Sequence, residues 1–253
     1  MRINALRKIE YSHFVQQLKS LVKKIIGKDP WIPLTLKLPS KTYSDWVFIP
    51  QLVLPGDIVY SIGICDDIAF EEVLMKDYAV SVFAFDPTPH SVNWIASKQL
   101  SDNFTFKPWG VAGTDGQLHL YPRLSKKGKR SKIMYTFQKE KNKTKDAIIV
   151  DAYTIGSMAK KLGHTHIDIL KMDVEGAEYE ALASLMETNI RPRIILVEFH
   201  HRFSGFGKSK TEQAILQLRK NGYEVSGKSN TEREVCFVLS SEASIFKPKL
   251  NQA

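Results

Sequence analysis

The segment Asp173-Val174-Glu175-Gly176 sets two carboxylates two residues apart, directly after the apolar run Ile167 to Met172. A helical pattern follows, with Ala177, Tyr179, Ala181 and Leu182 interleaved with Glu178 and Glu180. The simplest reading is a buried strand, a tight turn permitted by Gly176, and a helix. Ligands of open α/β sheets bind at carboxyl ends of strands, and carboxylates at i and i+2 there can point into one crevice. The same acids would also suit the positive end of a helix. A further acid, Asp86, closes the apolar run Val80 to Phe85 and lies 23 residues after Gly63. An acid about 20 residues beyond a glycine turn accepts hydrogen bonds from a ribose diol. Its other role would be to cap a helix over Ser91 to Lys98. Glu198 and His200 stand at the end of the run that begins at Ile194. With Asp173 they offer oxygen and imidazole ligands that a divalent metal could use; the reading adopted here assigns no metal.

These residues need strands and turns to position them. Ile58 to Ile62, Gly63 and a helical stretch from Ile68 to Lys76 read as strand, glycine turn and helix. The single glycine lets a ligand approach the backbone. Further strands are read at Phe104–Phe106, Gln117–Tyr121 and Ile148–Val150. Helices are read at Thr154–Leu162, ended by Gly163, and at Thr211–Asn221. Tyr223–Val225 and Val235–Leu239 look like a closing antiparallel pair. Repeated alternation of strand and helix gives an α/β class with a mostly parallel sheet. Gly63, Asp86, Trp109, Asp173, Glu175, Glu198 and His200 then gather at carboxyl ends of strands. Trp109 can stack on a flat ring, or pack at the rim.

Net charge is +9, unevenly spread. Residues 1–30 carry seven Lys/Arg against two acids, and 121–145 carry ten against one Glu. The rest is mildly acidic, with 19 basic and 24 acidic residues. The overall balance therefore does not describe a general nucleic-acid binder. Residues 2–26 read as a basic amphipathic helix that packs on the domain, on a second subunit or on a membrane surface. Residues 29–50, with four prolines, read as an irregular lead-in anchored by Trp31, Tyr43 and Trp46. The 123–145 stretch reads as a solvated loop or hairpin, or as an anion-binding lid. Two cysteines, Cys65 and Cys236, give neither a disulfide framework nor metal-ligand spacing. No apolar run reaches the ~18 residues of a membrane span, and no secretory signal is visible. The expected location is cytoplasmic, with peripheral membrane contact as the variation.

At these positions the chain resembles the FkbM-type methyltransferases. The resemblance rests on IDILKMDVEGAEYEAL at 167–182, RIILVEFH at 193–200, VFAFDPTP at 82–89 and PGDIVYSIGICDDIAF at 55–70. It covers roughly residues 45–240 and implies a Rossmann-like sheet with an antiparallel last strand and helices on both faces. It divides the chain into a lead-in, 1–44, and a methyltransferase-like domain, 45–253, with a basic insertion at 123–145. The implied cofactor is S-adenosyl-L-methionine, held by Ser61, Gly63, Asp86, Pro87, Thr88, Trp109, Gly110, Asp173 and Glu175. The implied chemistry is methyl transfer to a hydroxyl, with Asp173, His200 and Glu198 as catalytic candidates. His200 is the candidate base, since an unperturbed imidazole titrates at about 6.5. Many members carry an acid and several glycines after the first strand. Here Ser61 and a lone Gly63 stand there, so a variant cofactor cradle is expected. The acceptor would be a small molecule, a glycan or a lipid-linked group, anionic in view of the basic insertion. Nucleic acid is disfavoured, because neither a recognition helix nor a stacking stripe is visible. The rival readings are a non-catalytic binding module and a nicotinamide enzyme, the latter opposed by the missing three-glycine turn.

Overall fold

The computed structural model describes residues 13–124, 130–136, 147–203 and 205–243. It opens with α1 (His13–Ile25); the expected start of this helix at residue 2 lies outside the described residues. Its apolar residues Leu18, Leu21, Val22, Ile25 and Ile26 are all exposed. Ser20 is buried and Lys24 pairs with Glu232, so the polar edge of α1 faces the body. The lead-in is more ordered than its prolines suggested. A hairpin of β1 (Lys41–Tyr43) and β2 (Trp46–Phe48) turns at Ser44, which has a positive φ. Trp46 is buried, whereas Trp31 and Tyr43 are exposed, with the Lys24 ammonium of α1 over the Trp31 ring.

The main fold alternates as expected. β3 (Ile58–Ile62) leads to α2 (Ala69–Tyr78), β4 (Ser81–Phe85) to α3 (Pro89–Ala96), then β5 (Phe104–Lys107). Next come β6 (Gly110–Val111), β7 (Gly116–Leu124), β8 (Arg130–Thr136) and β9 (Ile148–Tyr153). α4 (Ile155–Leu162), β10 (Ile169–Met172), α5 (Glu178–Met186) and β11 (Ile194–Glu198) follow. α6 (Gly207–Lys220), β12 (Tyr223–Lys228), β13 (Glu234–Leu239) and α7 (Ser240–Ala243) complete the described chain.

Seven strands form one sheet in the order β12-β13-β11-β10-β3-β4-β5. β11, β10, β3, β4 and β5 run parallel, and β13 lies antiparallel between β11 and β12. Side chains alternate across a strand, so each parallel strand feeds two cores. Tyr60, Ile62, Leu170, Met172, Ile195 and Val197 pack with α4, α5 and α6 on one face. Val59, Val82, Ala84, Ile169, Ile194 and Leu196 pack on the other, with α2, α3 and the hairpin. Strands covered on both faces read as continuous apolar runs, which is why they were visible in the sequence.

A second, four-stranded sheet, β6-β9-β7-β8, was not anticipated as a unit. β7 and β9 pair antiparallel from Gly116↔Ala152 to Leu120↔Ile148. The basic stretch is therefore partly structured: β7 runs on to Leu124 and pairs with β8. Residues 125–129 and 137–145 of it lie outside the described residues.

Gly63 holds the strand ends together. Its φ is +82°, and a Cβ there would stand 1.8 Å from the Asp173 carbonyl oxygen. The glycine thus permits close approach of two neighbouring backbones, beside the place where a ligand was expected. Gly63→Ala combines left-handed strain with a backbone clash and should cost more than about 3 kcal/mol. Chemical denaturation checks this; a midpoint equal to that of the wild type would contradict the packing described.

Candidate active site

A cavity of about 290 Å³ opens at the carboxyl ends of β3, β4 and β10. Its floor is the Gly63 turn and its sides include Phe85, Asp86, Pro87, Thr88, Trp109, Gly110, Asp173 and Glu175. Most residues expected to hold the cofactor are therefore brought together. The second sheet adds a wall through Leu118, Leu120, Tyr135 and Thr136, and the hairpin adds Ser44 and Trp46. Trp109 stacks on Phe85 at 6.0 Å between centroids and meets Tyr153 edge-on at 5.2 Å. It both packs at the rim and lines the cavity.

Asp86 is buried and fully engaged. Its Oδ2 accepts the Ile64 and Cys65 amides at 3.2 and 3.0 Å. Its Oδ1 accepts the Thr88 amide and hydroxyl at 2.9 and 2.7 Å. The helix cap is Thr88, whose hydroxyl accepts the Ser91 amide; Asp86 braces that cap and the glycine turn at once.

Ser61 is a correction. It is buried, donates to Glu71 Oε1 at 2.5 Å and does not line the cavity. Glu71 and Lys171 line it instead, paired at 2.9 Å. Lys171 sits opposite Ser61 in the sheet register, and its ammonium lies 5.0 Å from the Trp46 ring centroid. Sequence reasoning missed this pair, although a lone lysine in the apolar run of β10 was a signal. A buried ammonium requires a partner, and α2 supplies it in Glu71.

At the ends of β10 and β11 the acids converge on His200. Glu178, fully buried, accepts the Gly176 amide on Oε2 and the His200 amide on Oε1, both at 2.8 Å. His200 Nε2 stands 3.6 Å from Asp173 Oδ1, 3.6 Å from Glu175 Oε2 and 3.8 Å from Glu198 Oε1. Arg233 pairs with Glu198. Arg123 Nη1 donates to both oxygens of Glu175 at 2.9 Å, and its guanidinium covers the Phe203 ring at 4.4 Å. The first basic residue of the insertion thus belongs to the site. Glu175 has φ +51°, a left-handed conformation that aims its side chain back toward His200.

This setting changes the chemistry of His200. Burial alone would lower the imidazole, but Glu178, Glu198 and Asp173 outweigh it and raise the pKa to about 9. With no cation bound, these carboxylates favour the charged form of the ring, which makes His200 a poorer base than its ordinary pKa implied. Burial, reinforced by Asp173, pushes the Glu198 carboxyl up against the pull of Arg233 and His200. Burial likewise raises Glu175, against His200 and Arg123. Asp173 remains the most open acid of the group, with 38% of its side chain exposed.

The family described as the methyltransferase FkbM domain matches residues 57–225. The chain is 26% identical over 162 residues to the probable methyltransferase-like protein 24 of Homo sapiens and to that of Rattus norvegicus. Each match covers 63% of this chain and 37% of the relative, so the matched stretch spans well under half of those proteins. Among solved structures, the fibrillarin pre-rRNA processing protein of Methanococcus jannaschii overlaps with a TM-score of 0.43 at 9% identity, covering 80% of this chain and 71% of its own. Aeropyrum pernix fibrillarin with natively bound S-adenosyl-L-methionine gives 0.37 at 11% identity, over 74% and 66%. These two overlaps are too loose to argue from, whereas the family match runs from just before β3 into β12. The chain belongs to the FkbM family of S-adenosyl-L-methionine-dependent methyltransferases.

Proposed function

We propose that the protein transfers the methyl group of S-adenosyl-L-methionine to a hydroxyl oxygen of an anionic small, glycan or lipid-linked acceptor. The observation that carries this reading is the charge of the cavity. Among the described residues, Asp67, Glu71, Asp86, Asp173 and Glu175 line it against the one ammonium of Lys171. A cationic sulfonium ligand is favoured there, and Phe85, Trp109 and Val111 offer an apolar slot for its base. All four acceptor positions of Asp86 are taken, so a ribose diol engages it by displacing an amide of the glycine turn. The cradle is then a variant one.

The donor, when bound, supplies an electrophilic methyl on sulfur. The chain's own task is alignment, worth on the order of 7–11 kcal/mol in such reactions, together with removal of the hydroxyl proton. Asp173, open to the cavity, receives that proton. His200 acts as a positioning residue: fixed by Glu178, it holds Asp173 and Glu175 at one end of the cavity. β7 and β8 add Leu118, Leu120, Tyr135 and Thr136 to the wall of the cavity, and the positive charge of 123–145 in the sequence supports an anionic acceptor. The exposed apolar ridge of α1 suits contact with a membrane surface or with a second copy of the chain.

Calorimetry with S-adenosyl-L-methionine, followed by transfer of radiolabelled methyl to anionic and neutral glycans and lipids, tests the proposal. Saturable binding with label entering the anionic set is expected. Binding without transfer to any acceptor would leave a non-catalytic module; no binding would end the reading. Asp173→Asn should keep donor affinity within about threefold and lower kcat by about a hundredfold or more. Wild-type turnover in that variant would remove Asp173 from the mechanism.

The pH dependence of stability has a definite sign. His200 has a folded pKa of about 9 against an ordinary 6.5. Its stabilising contribution is therefore complete below pH 6.5 and lost as pH rises through 9, on the order of 3 kcal/mol. Wild-type stability should fall between pH 7 and 9.5 more steeply than that of His200→Asn in thermal denaturation; parallel curves would show that the ring is not charged in the fold.

A further inference from the structure

We infer that the ends of β10 and β11 form a divalent cation site, with Asp173, Glu198 and His200 as ligands and Glu175 beside them. One donor atom from each of Asp173, Glu198 and His200 lies within 4.8 Å of the others. The gaps of 3.6, 3.6 and 3.8 Å from His200 Nε2 to Asp173, Glu175 and Glu198 exceed hydrogen-bond length. They suit atoms that each lie about 2.0–2.2 Å from a shared ion. The His200 side chain is only 3% exposed, its Nε2 faces these acids, and its Nδ1 is buried without a hydrogen bond.

The arrangement behind the ring points the same way. His200 Nδ1 lies 3.4 Å from Glu178 Oε1, and Glu178 is pinned by the Gly176 and His200 amides. A carboxylate behind an imidazole that faces further acids is the order found around ligating histidines. Another group of suitable residue types, Cys65, Asp66 and His90, lacks this gap. There the imidazole bonds directly to Asp66 at 3.0 Å, leaving no room between them.

Two carboxylates and an imidazole favour Mn²⁺ or a similar first-row ion over alkali metals. This revises the sequence reading, which assigned no metal. Asp173 and Glu175 also line the cavity, so a bound ion would face it. There it would bind an acceptor hydroxyl and ease loss of its proton as a Lewis acid. That role rests on the proposed function; the existence of the site does not.

The test uses the full chain, stripped with a chelator, and Mn²⁺ alone as probe. Calorimetry and the loss of the free Mn²⁺ resonance should report one site per chain. Asp173→Asn and Glu198→Gln, both near-isosteric, should each weaken it by about tenfold or more. Circular dichroism confirms that each variant is folded. Lack of saturable binding to the folded wild-type chain up to about 1 mM Mn²⁺ would overturn the assignment, as would unchanged affinity in both variants. Separate titration with S-adenosyl-L-methionine keeps the questions apart. Mn²⁺ binding without donor binding would refute the methyltransferase reading only, and the converse would refute the cation site only.

Discussion

Glu178 is a carboxylate with no exposure to solvent, and the site depends on its bonds. An isolated buried charge is prohibitive, so such a group persists only where donors surround it. Here the donors are backbone amides from two different segments, the Gly176 turn and the end of β11 at His200. One side chain at the start of α5 therefore fixes the turn after β10 relative to the strand beside it. It also sets the imidazole among Asp173, Glu175 and Glu198. The acidity of the cluster, its hold on a proton and its fitness for a cation all follow from that geometry. Arg123, on β7 of the second sheet, and Arg233, just before β13, pair with Glu175 and Glu198 of the cluster.

The cavity itself follows from close approach of β3 and β10. With Gly63 almost touching the Asp173 carbonyl, the two strand ends share one floor. Asp86 then ties the glycine turn to the cap of α3. Lys171 and Glu71 neutralise each other beneath the hairpin. Binding groups and structural groups are thus largely the same residues. Changes here will show up in stability as well as in affinity.

Sequence alone was informative where the physics is local. Strands buried on both faces appear as apolar runs, and Thr154 and Gly163 bracket α4 as cap and stop. The carboxyl-end clustering of Asp86, Asp173, Glu175, Glu198 and His200 followed from those elements. What was illegible depends on pairings across long separations. The Arg123–Glu175 contact joins residues 52 apart, and nothing in a basic run says which member turns inward. The second sheet rests on β7 and β9, whose partly exposed residues give weak patterns. The packing of Gly63 and the place of Ser61 were illegible because the neighbour of each lies on another element: the Asp173 carbonyl for one, Glu71 for the other. The state of His200 was also beyond the sequence, since an ordinary imidazole pKa holds only until four carboxylates are placed around it.

The account stands or falls on where the methyl donor lies. A crystal structure of the chain with S-adenosyl-L-homocysteine, the donor lacking its methyl, locates it directly. The account predicts the nucleoside in the cavity, its ring against Phe85 or Trp109, its ribose at Asp86 and its sulfur turned toward Asp173 and His200. A nucleoside bound outside this cavity, or a sulfur facing away from the Asp173–His200 cluster, would contradict it.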